Sequence, residues 1–95
     1  MPAHYSVKFT PRAAKELRAL PQAVQGKVIQ SLDVLRVDPF AELINFKKLK
    51  TRNDLYRIRI GNYRVVYSVQ GDVLLIRVVR IGHRKDVYRY LKGLG

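Results

Sequence analysis

A chain of 95 residues is long enough for one domain with a single modest core, and we expect residues 1–95 to form that domain. The chain has no cysteine and two isolated histidines, which excludes disulfides and gives no reason to expect a metal or another cofactor. No apolar run approaches the ~20 residues of a membrane span, and the N-terminus does not resemble a signal peptide, so we expect a cytoplasmic protein without a membrane partner.

The first half of the chain predicts a strand followed by two helices. Residues 5–9 alternate between apolar and polar side chains, as in a short strand. Thr10 and Pro11 suit the N-cap and first position of a helix, Leu20-Pro21 ends that helix and opens a second, and Asp38-Pro39 ends the second. Apolar residues at helical spacing predict an αα-hairpin that buries one shared side. The residues of this stripe are Ala13, Leu17, Leu20, Val24, Val28, Ile29, Leu32 and Leu35.

A β-hairpin is predicted over residues 55–69, which read LYRIRIGNYRVVYSV. Two alternating runs are joined by Gly61-Asn62, a pair suited to a two-residue type II′ turn. That turn sets the register and places Arg57, Arg59 and Arg64 on one side of the hairpin, which we call the arginine face, with Arg59 directly opposite Arg64. Opposed like charges cost stability. The arginines either keep a solvated face soluble or form a preorganised site for phosphate.

A third long strand is predicted over residues 73–81, and its register depends on the turn before it. If Gly71-Asp72 is a two-residue turn, which we favour, Arg77 joins the arginine face opposite Val66. A three-residue loop would place Arg80 there instead. In residues 82–91 a break at Gly82 is expected, followed by a short, frayed helix. The connector before the hairpin is strongly basic, and it is either a solvated loop or a track for phosphates. Its cations are Lys47, Lys48, Lys50 and Arg52.

The predicted order is β-α-α-β-β-β with a short C-terminal helix, which is an α+β fold. The helix pair covers the apolar face of a curved antiparallel sheet, and the opposite face is left open and basic. Residues 1–46 contain six basic and four acidic residues, whereas residues 47–95 contain thirteen and three. This distribution indicates a polyanionic ligand, with RNA or DNA favoured over a membrane, although an acidic protein partner fits the charge equally well.

The sequence resembles the RelE/ParE superfamily of toxins from type II toxin–antitoxin systems. Four pieces carry the resemblance in matching order, and they are the helix pair joined at Leu20-Pro21, Lys48-Leu49-Lys50, residues 56–67 (YRIRIGNYRVVY) and residues 80–88 (RIGHRKDVY). Resemblance to the RelE branch implies a microbial-RNase-like fold and a metal-independent endoribonuclease, an mRNA interferase that cleaves mRNA in the ribosomal A site. It also implies neutralisation by a cognate RelB-like antitoxin. The ParE branch implies the alternative of a DNA gyrase inhibitor without nuclease activity, and a non-toxic nucleic-acid binding module is a third possibility.

The resemblance also implies a set of catalytic residues, which are Arg57, Arg59, Arg64, Arg84 and Tyr88, with His83 beside them. Family members often carry lysines at the first two positions, where this chain has arginines that do not lose their proton. The general base is therefore open between Tyr88, which we favour, His83 and a group supplied by the ribosome. Tyr88 could instead stack on a base or serve packing, and His83 could be a turn residue. The RNA-binding candidates are Lys47, Lys48, Lys50, Arg52 and Arg77.

Overall fold

The computed structural model describes residues 4–42, 44, 46–49 and 55–94. In chain order the elements are β1 (Ser6–Phe9), α1 (Pro11–Ala19), α2 (Gln22–Val37), β2 (Phe46–Lys48), β3 (Leu55–Ile60), β4 (Tyr63–Gln70), β5 (Leu75–His83) and α3 (Arg84–Leu94). The strands form one sheet in the order β1-β5-β4-β3-β2. The α+β class is confirmed, with two differences. The connector contributes the short strand β2, and β1 runs parallel to β5, so the sheet is mixed rather than antiparallel.

Both N-terminal helices begin and end where the sequence predicts. The Thr10 side chain accepts a hydrogen bond from the N–H of Ala13 at 3.1 Å, and Pro11 occupies the first position of α1. Pro21 separates the helices, and α2 ends at Val37, directly before Asp38-Pro39. The αα-hairpin is therefore encoded locally, by caps and prolines.

The main core lies between this helix pair and the apolar face of the sheet. The predicted stripe supplies most of the helical side, but Ile29 is an exception, because 44% of it is exposed. A helix packed on a sheet buries a narrow stripe, and Ile29 lies beyond its edge. The buried core residues are Ala13, Val28, Leu32, Leu35, Ile58, Ile60, Val65, Tyr67, Ile76, Val78 and Ile81.

The β3–β4 hairpin has the register that its two-residue turn predicts. Ile60 pairs with Tyr63, and Arg59 lies directly opposite Arg64. Gly61 has a φ of 58°, a left-handed conformation that glycine adopts without steric cost. The arginine face of β3 and β4 is therefore confirmed.

The register between β4 and β5 differs from the favoured prediction. β4 ends at Gln70 and β5 begins at Leu75, so four residues connect them rather than two. As a result Val66 lies opposite Arg80 and not opposite Arg77, and the favoured register is wrong. The Gly-Asp pair after β4 does begin the turn, but the turn continues for two further residues before pairing resumes.

A β-bulge in the same ladder changes which side chains share a face. The pairing shifts between Val66 and Tyr67, which leaves Val79 as an extra residue on β5. Because of the bulge, Arg77 and Arg80 both lie on the arginine face, although three positions separate them. The arginine face therefore contains both candidate arginines of β5 rather than one.

The arginine face is not left open, because α3 packs across part of it. A second, smaller core forms there from Leu49, Leu55, Val66 and Val87, with Leu91 packed at its edge. These apolar residues on the arginine face require a cover, which explains why α3 extends over 11 residues instead of fraying after one turn. No helix in the described part of the chain is long and apolar enough to cross a membrane.

Candidate active site on the arginine face

The side chain of Arg64 lies beneath α3, with an exposed fraction of 3% for the residue. Its Nη1 donates to the carbonyl oxygens of Gly61 and Tyr63 at 3.0 and 2.9 Å, and its Nη2 donates to the hydroxyl of Tyr88 at 3.5 Å. Nε has no hydrogen-bond partner among the described residues, and none of their carboxylates bonds this guanidinium. Among the described residues the partners of this buried cation are neutral oxygens, and its charge acts directly on Tyr88.

Tyr88 stands on α3 directly above that cation and is 44% exposed. The guanidinium carbon of Arg64 is 5.9 Å from the centre of the Tyr88 ring. The hydrogen bond from Arg64 lowers the pKa of the Tyr88 phenol, and the charges of Arg64, Arg57 and Arg84 lower it further, against a smaller opposing effect of desolvation. A phenol of lowered pKa exchanges its proton more readily near neutral pH.

The other arginines predicted for the site differ in exposure, and the charges of Arg57 and Arg84 act on Tyr88. Arg57 is half-buried on β3, whereas Arg59 and Arg84 are exposed. The N–H of Arg84 donates to the carbonyl of Asn62 at 2.8 Å, which ties the start of α3 to the hairpin turn. Arg57, Arg64 and Arg84 therefore lie close enough to Tyr88 for their charges to act on its phenol.

His83 does not join this group. It pairs with Tyr63 on the apolar side of the ladder, and the two ring centres are 6.1 Å apart in an edge-to-face arrangement. Its Nδ1 accepts a hydrogen bond from the N–H of Lys85 at 3.3 Å, in the manner of a helix cap. The imidazole thus stabilises the start of α3 and is directed away from Tyr88.

The predicted RNA-binding residues are divided between the two faces of the sheet. Lys47 pairs with Arg57 on the arginine face, whereas Lys48 pairs with Tyr56 and projects from the other side. Arg77 is exposed on the arginine face near the start of β5, away from Tyr88. Lys50 and Arg52 lie outside the described residues.

A profile of the family described as "ParE toxin of type II toxin-antitoxin system, parDE" matches residues 7–88. The chain belongs to this family. Toxin RelE3 of Methanocaldococcus jannaschii is 32% identical over 93 residues, which cover 88% of this chain and 96% of that protein. The mRNA interferase toxin RelE of Escherichia coli K12 is 31% identical over 88 residues, which cover 88% and 90%. The RelE chain in the RelE–RelB complex from Pyrococcus horikoshii OT3 has a TM-score of 0.75 and 33% identity, covering 85% of this chain and 96% of that one. The chain is a RelE-like toxin of a toxin–antitoxin system.

One contact in the toxin has no counterpart among the sequence predictions. Glu16 on α1 accepts hydrogen bonds from the Nε of Arg80 at 3.0 and 3.2 Å and from the N–H of Ile81 at 3.0 Å. The side chains of Glu16 and Arg80 are only 21% and 9% exposed. Glu16 and Arg80 are 64 positions apart, so no local pattern relates them.

Within the described residues of the toxin, no group of three or more His, Cys, Asp and Glu side chains is placed to hold a metal ion. The arginine face and the start of α3 bring the charges of Arg57, Arg64 and Arg84 to one exposed phenol. Cations of this kind bind a phosphate and stabilise extra negative charge on it. A phenol whose pKa is lowered by Arg64 is chemically able to exchange a proton with a ligand held by these cations.

Proposed function

We propose that this toxin is an endoribonuclease, an mRNA interferase that cleaves mRNA in the ribosomal A site without a metal. The observation that carries the proposal is Tyr88, exposed to solvent, in contact with buried Arg64 and electrostatically coupled to Arg57 and Arg84. The relative from Escherichia coli K12, which is named an mRNA interferase and is 31% identical, supports the same function.

The reaction proposed is attack of a ribose 2′-hydroxyl on its own 3′-phosphate. A bond forms between O2′ and phosphorus, the bond from phosphorus to O5′ breaks, and the products are a 2′,3′-cyclic phosphate and a 5′-hydroxyl. The site must take the 2′ proton, stabilise the additional negative charge on the phosphate and protonate O5′.

Each requirement has a candidate residue. Arg57 and Arg84, with Arg59 beside them, are accessible enough to contact the phosphate oxygens. Tyr88 carries the proton transfer. Arg64 is too buried for a first contact with RNA, so it contributes through Tyr88 by favouring the phenolate.

Two partners follow from this function. The ribosome supplies the mRNA in the A site, in the cytoplasm, and a cognate RelB-like antitoxin blocks the toxin. The RelE–RelB complex from Pyrococcus horikoshii OT3 supports the second partner. Residues 47–95 contain thirteen basic and only three acidic residues. A partner that brings negative charge to this half of the chain is therefore favoured.

The test is cleavage of a defined mRNA on programmed ribosomes, mapped by primer extension. The wild-type toxin should cut within the A-site codon, and Tyr88→Phe should lose most of the activity. Tyr63→Phe is the matched control, because it removes the same hydroxyl from a tyrosine on the apolar side of the sheet. Intact mRNA after prolonged incubation with folded wild-type toxin would refute the proposal.

The alternative of a ParE-like gyrase inhibitor is kept because the matching family is described as ParE toxin. A supercoiling assay with purified DNA gyrase separates the two functions. Inhibition of gyrase together with intact mRNA would favour the alternative, whereas cleavage without inhibition favours the interferase.

A further inference from the structure

Helix α3 is held on both of its flanks by a contact between an arginine and a tyrosine. Val87 and Leu91 face the sheet, and successive residues of a helix are rotated by about 100°. Tyr88 and Tyr90 therefore project about 100° and 60° from Val87 in opposite directions. Tyr88 contacts Arg64, and the guanidinium carbon of Arg80 lies 4.8 Å from the centre of the Tyr90 ring.

We propose that Glu16, Arg80 and Tyr90 are positioning residues that fix the rotation of α3 about its axis and so hold Tyr88 against Arg64. Their relevance to cleavage rests on the proposed role of Tyr88. Their effect on the geometry of α3 is independent of that role and can be measured without RNA.

The chain of contacts begins on a firmly anchored helix. The Thr10 hydroxyl caps α1 and also donates to the carbonyl of Val79 at 3.3 Å, which fixes α1 to β5 beside the bulge. Glu16 lies almost two turns further along α1, and both of its carboxylate oxygens accept hydrogen bonds from the Nε of Arg80. An ion pair this sheltered has few alternative arrangements, because a displaced partner would leave a charge without compensation.

The bulge explains why Arg80 can reach both neighbours. An extra residue at Val79 turns the strand locally, and the next side chain is directed toward the junction of α1 and α3. An open cleft of about 730 Å³ lies along this junction, lined by Arg12, Asp86 and Arg89 among others. The cleft separates the two helices here, and Arg80 contacts Glu16 on one side of it and Tyr90 on the other.

The apolar contacts of α3 do not by themselves set its rotation. Among the described side chains of α3, Val87 is the one that is fully buried, and Leu91 is half-buried beside it. Burial of such a narrow apolar stripe opposes detachment of the helix from the sheet. It opposes a small roll, meaning a rotation of the helix about its own axis, much less. At the surface of a helix about 11 Å in diameter, a roll of roughly 15° moves a side chain by about 1.4 Å. A misplacement of ~1 Å can cost about 100-fold in rate.

The experiment follows the ionisation of Tyr88 in the free toxin by ¹³C NMR of tyrosines labelled at Cζ, with Tyr88→Phe used to assign the signal. In the wild type the pKa of Tyr88 should lie below the ordinary value of ~10. In Tyr90→Leu and Glu16→Gln it should move back toward that value, because the contact with Arg64 is loosened. Tyr90→Phe keeps the aromatic ring and should titrate like the wild type.

Arg12→Gln is the matched control within the same cleft. It removes a cation whose side chain is 67% exposed and lies 3.9 Å from Glu16, so both the titration and the cleavage rate should be retained. Single-turnover cleavage on ribosomes should fall about 10- to 100-fold in Tyr90→Leu and stay near the wild-type rate in Tyr90→Phe. If Glu16→Gln does not fold, Tyr90→Leu carries the test.

The outcomes separate the two proposals. An unchanged titration of Tyr88 in folded Tyr90→Leu would overturn the positioning role, whatever the cleavage assay gives. A shifted titration in a protein that never cleaves mRNA would support the positioning role and overturn the interferase proposal. A cleavage defect shared equally by Tyr90→Phe and Tyr90→Leu would also count against the positioning role, because the aromatic ring of Tyr90 would then not be the relevant group.

Discussion

Lys47 and Lys48 are adjacent in sequence but belong to opposite faces of the sheet, which allows a charge-matched test of where RNA binds. Lys47 pairs with Arg57 on the arginine face, and Lys48 pairs with Tyr56 on the other. Both side chains belong to exposed residues, and each change to Gln removes one unit from a net charge of +12. Any difference between Lys47→Gln and Lys48→Gln therefore reports on location rather than on total charge.

The expected magnitude follows from counterion release. Each phosphate contact on single-stranded nucleic acid contributes about 0.7 to the slope of log K against log salt. Across a fourfold rise in salt, from ~50 to ~200 mM, one contact therefore weakens binding by about 2.6-fold. Lys47→Gln should lose one such contact, whereas Lys48→Gln should keep the wild-type slope, because charges on the far face are screened beyond a Debye length of ~10 Å.

The assay is fluorescence anisotropy with labelled RNA of two unrelated sequences, methylated at every 2′-oxygen so that the attacking hydroxyl is absent. Lys47→Gln should weaken both RNAs equally, since a phosphate contact carries no sequence information. Identical slopes for the two variants, or a larger change for Lys48→Gln, would refute the assignment of RNA to the arginine face.

Four further predictions concern single side chains. Tyr88→Phe should lower single-turnover cleavage by about 10²- to 10⁴-fold, and if Tyr88 is the base the wild-type rate should rise with pH and level off below ~10, because neighbouring arginines lower the pKa of its phenol. His83→Gln should retain most of the rate, and a large loss there instead would move the base to the histidine. Arg64→Ala should reduce turnover more than RNA affinity, and intact single-turnover cleavage with weakened binding would disprove its role. Tyr67→Phe should raise the free energy of unfolding by about 1 kcal/mol in urea titrations, because the buried Tyr67 hydroxyl has no partner among the described residues. Burial raises the pKa of that phenol, so wild-type stability should fall as the pH rises above ~10, where the unfolded chain ionises, and the fall should be smaller in Tyr67→Phe. An unchanged or lower stability would show that the hydroxyl is satisfied.

The parts of the fold that the sequence predicts are those encoded within a few residues. Thr10-Pro11 and Leu20-Pro21 specify helix ends through a cap and a fixed backbone angle, and the structure confirms both. Gly61-Asn62 specifies a two-residue turn, and a turn of known length leaves one register for its strands. The arginine face was predictable for that reason.

The parts that were not predicted depend on contacts between distant segments. The bulge at Val79 has no strong signal in the sequence. Nor does the four-residue connection to β5, since Leu74 in that connection adopts a positive φ of 50° without being Gly or Asn. In the sequence Glu16 is one of several polar residues on the outer side of an amphipathic helix, and nothing there distinguishes it. Its contact with Arg80 exists only in the folded chain. His83 follows a local rule after all, because a side chain placed just before a helix often caps it.

The parallel pairing of β1 with β5 has a consequence for the order in which the toxin becomes active. Thr10 and Val79, which meet at the end of this pairing, are 69 positions apart, so the first strand has no partner until most of the chain has been synthesised. Closing so long a loop is slow compared with forming the hairpin. Tyr88 is synthesised later still, and the guanidinium of Arg64 beneath it remains uncovered until α3 packs on the sheet. A nascent toxin still attached to the ribosome that makes it therefore has an incomplete site, and pulse proteolysis of stalled nascent chains should show β1 protected only after β5 has emerged.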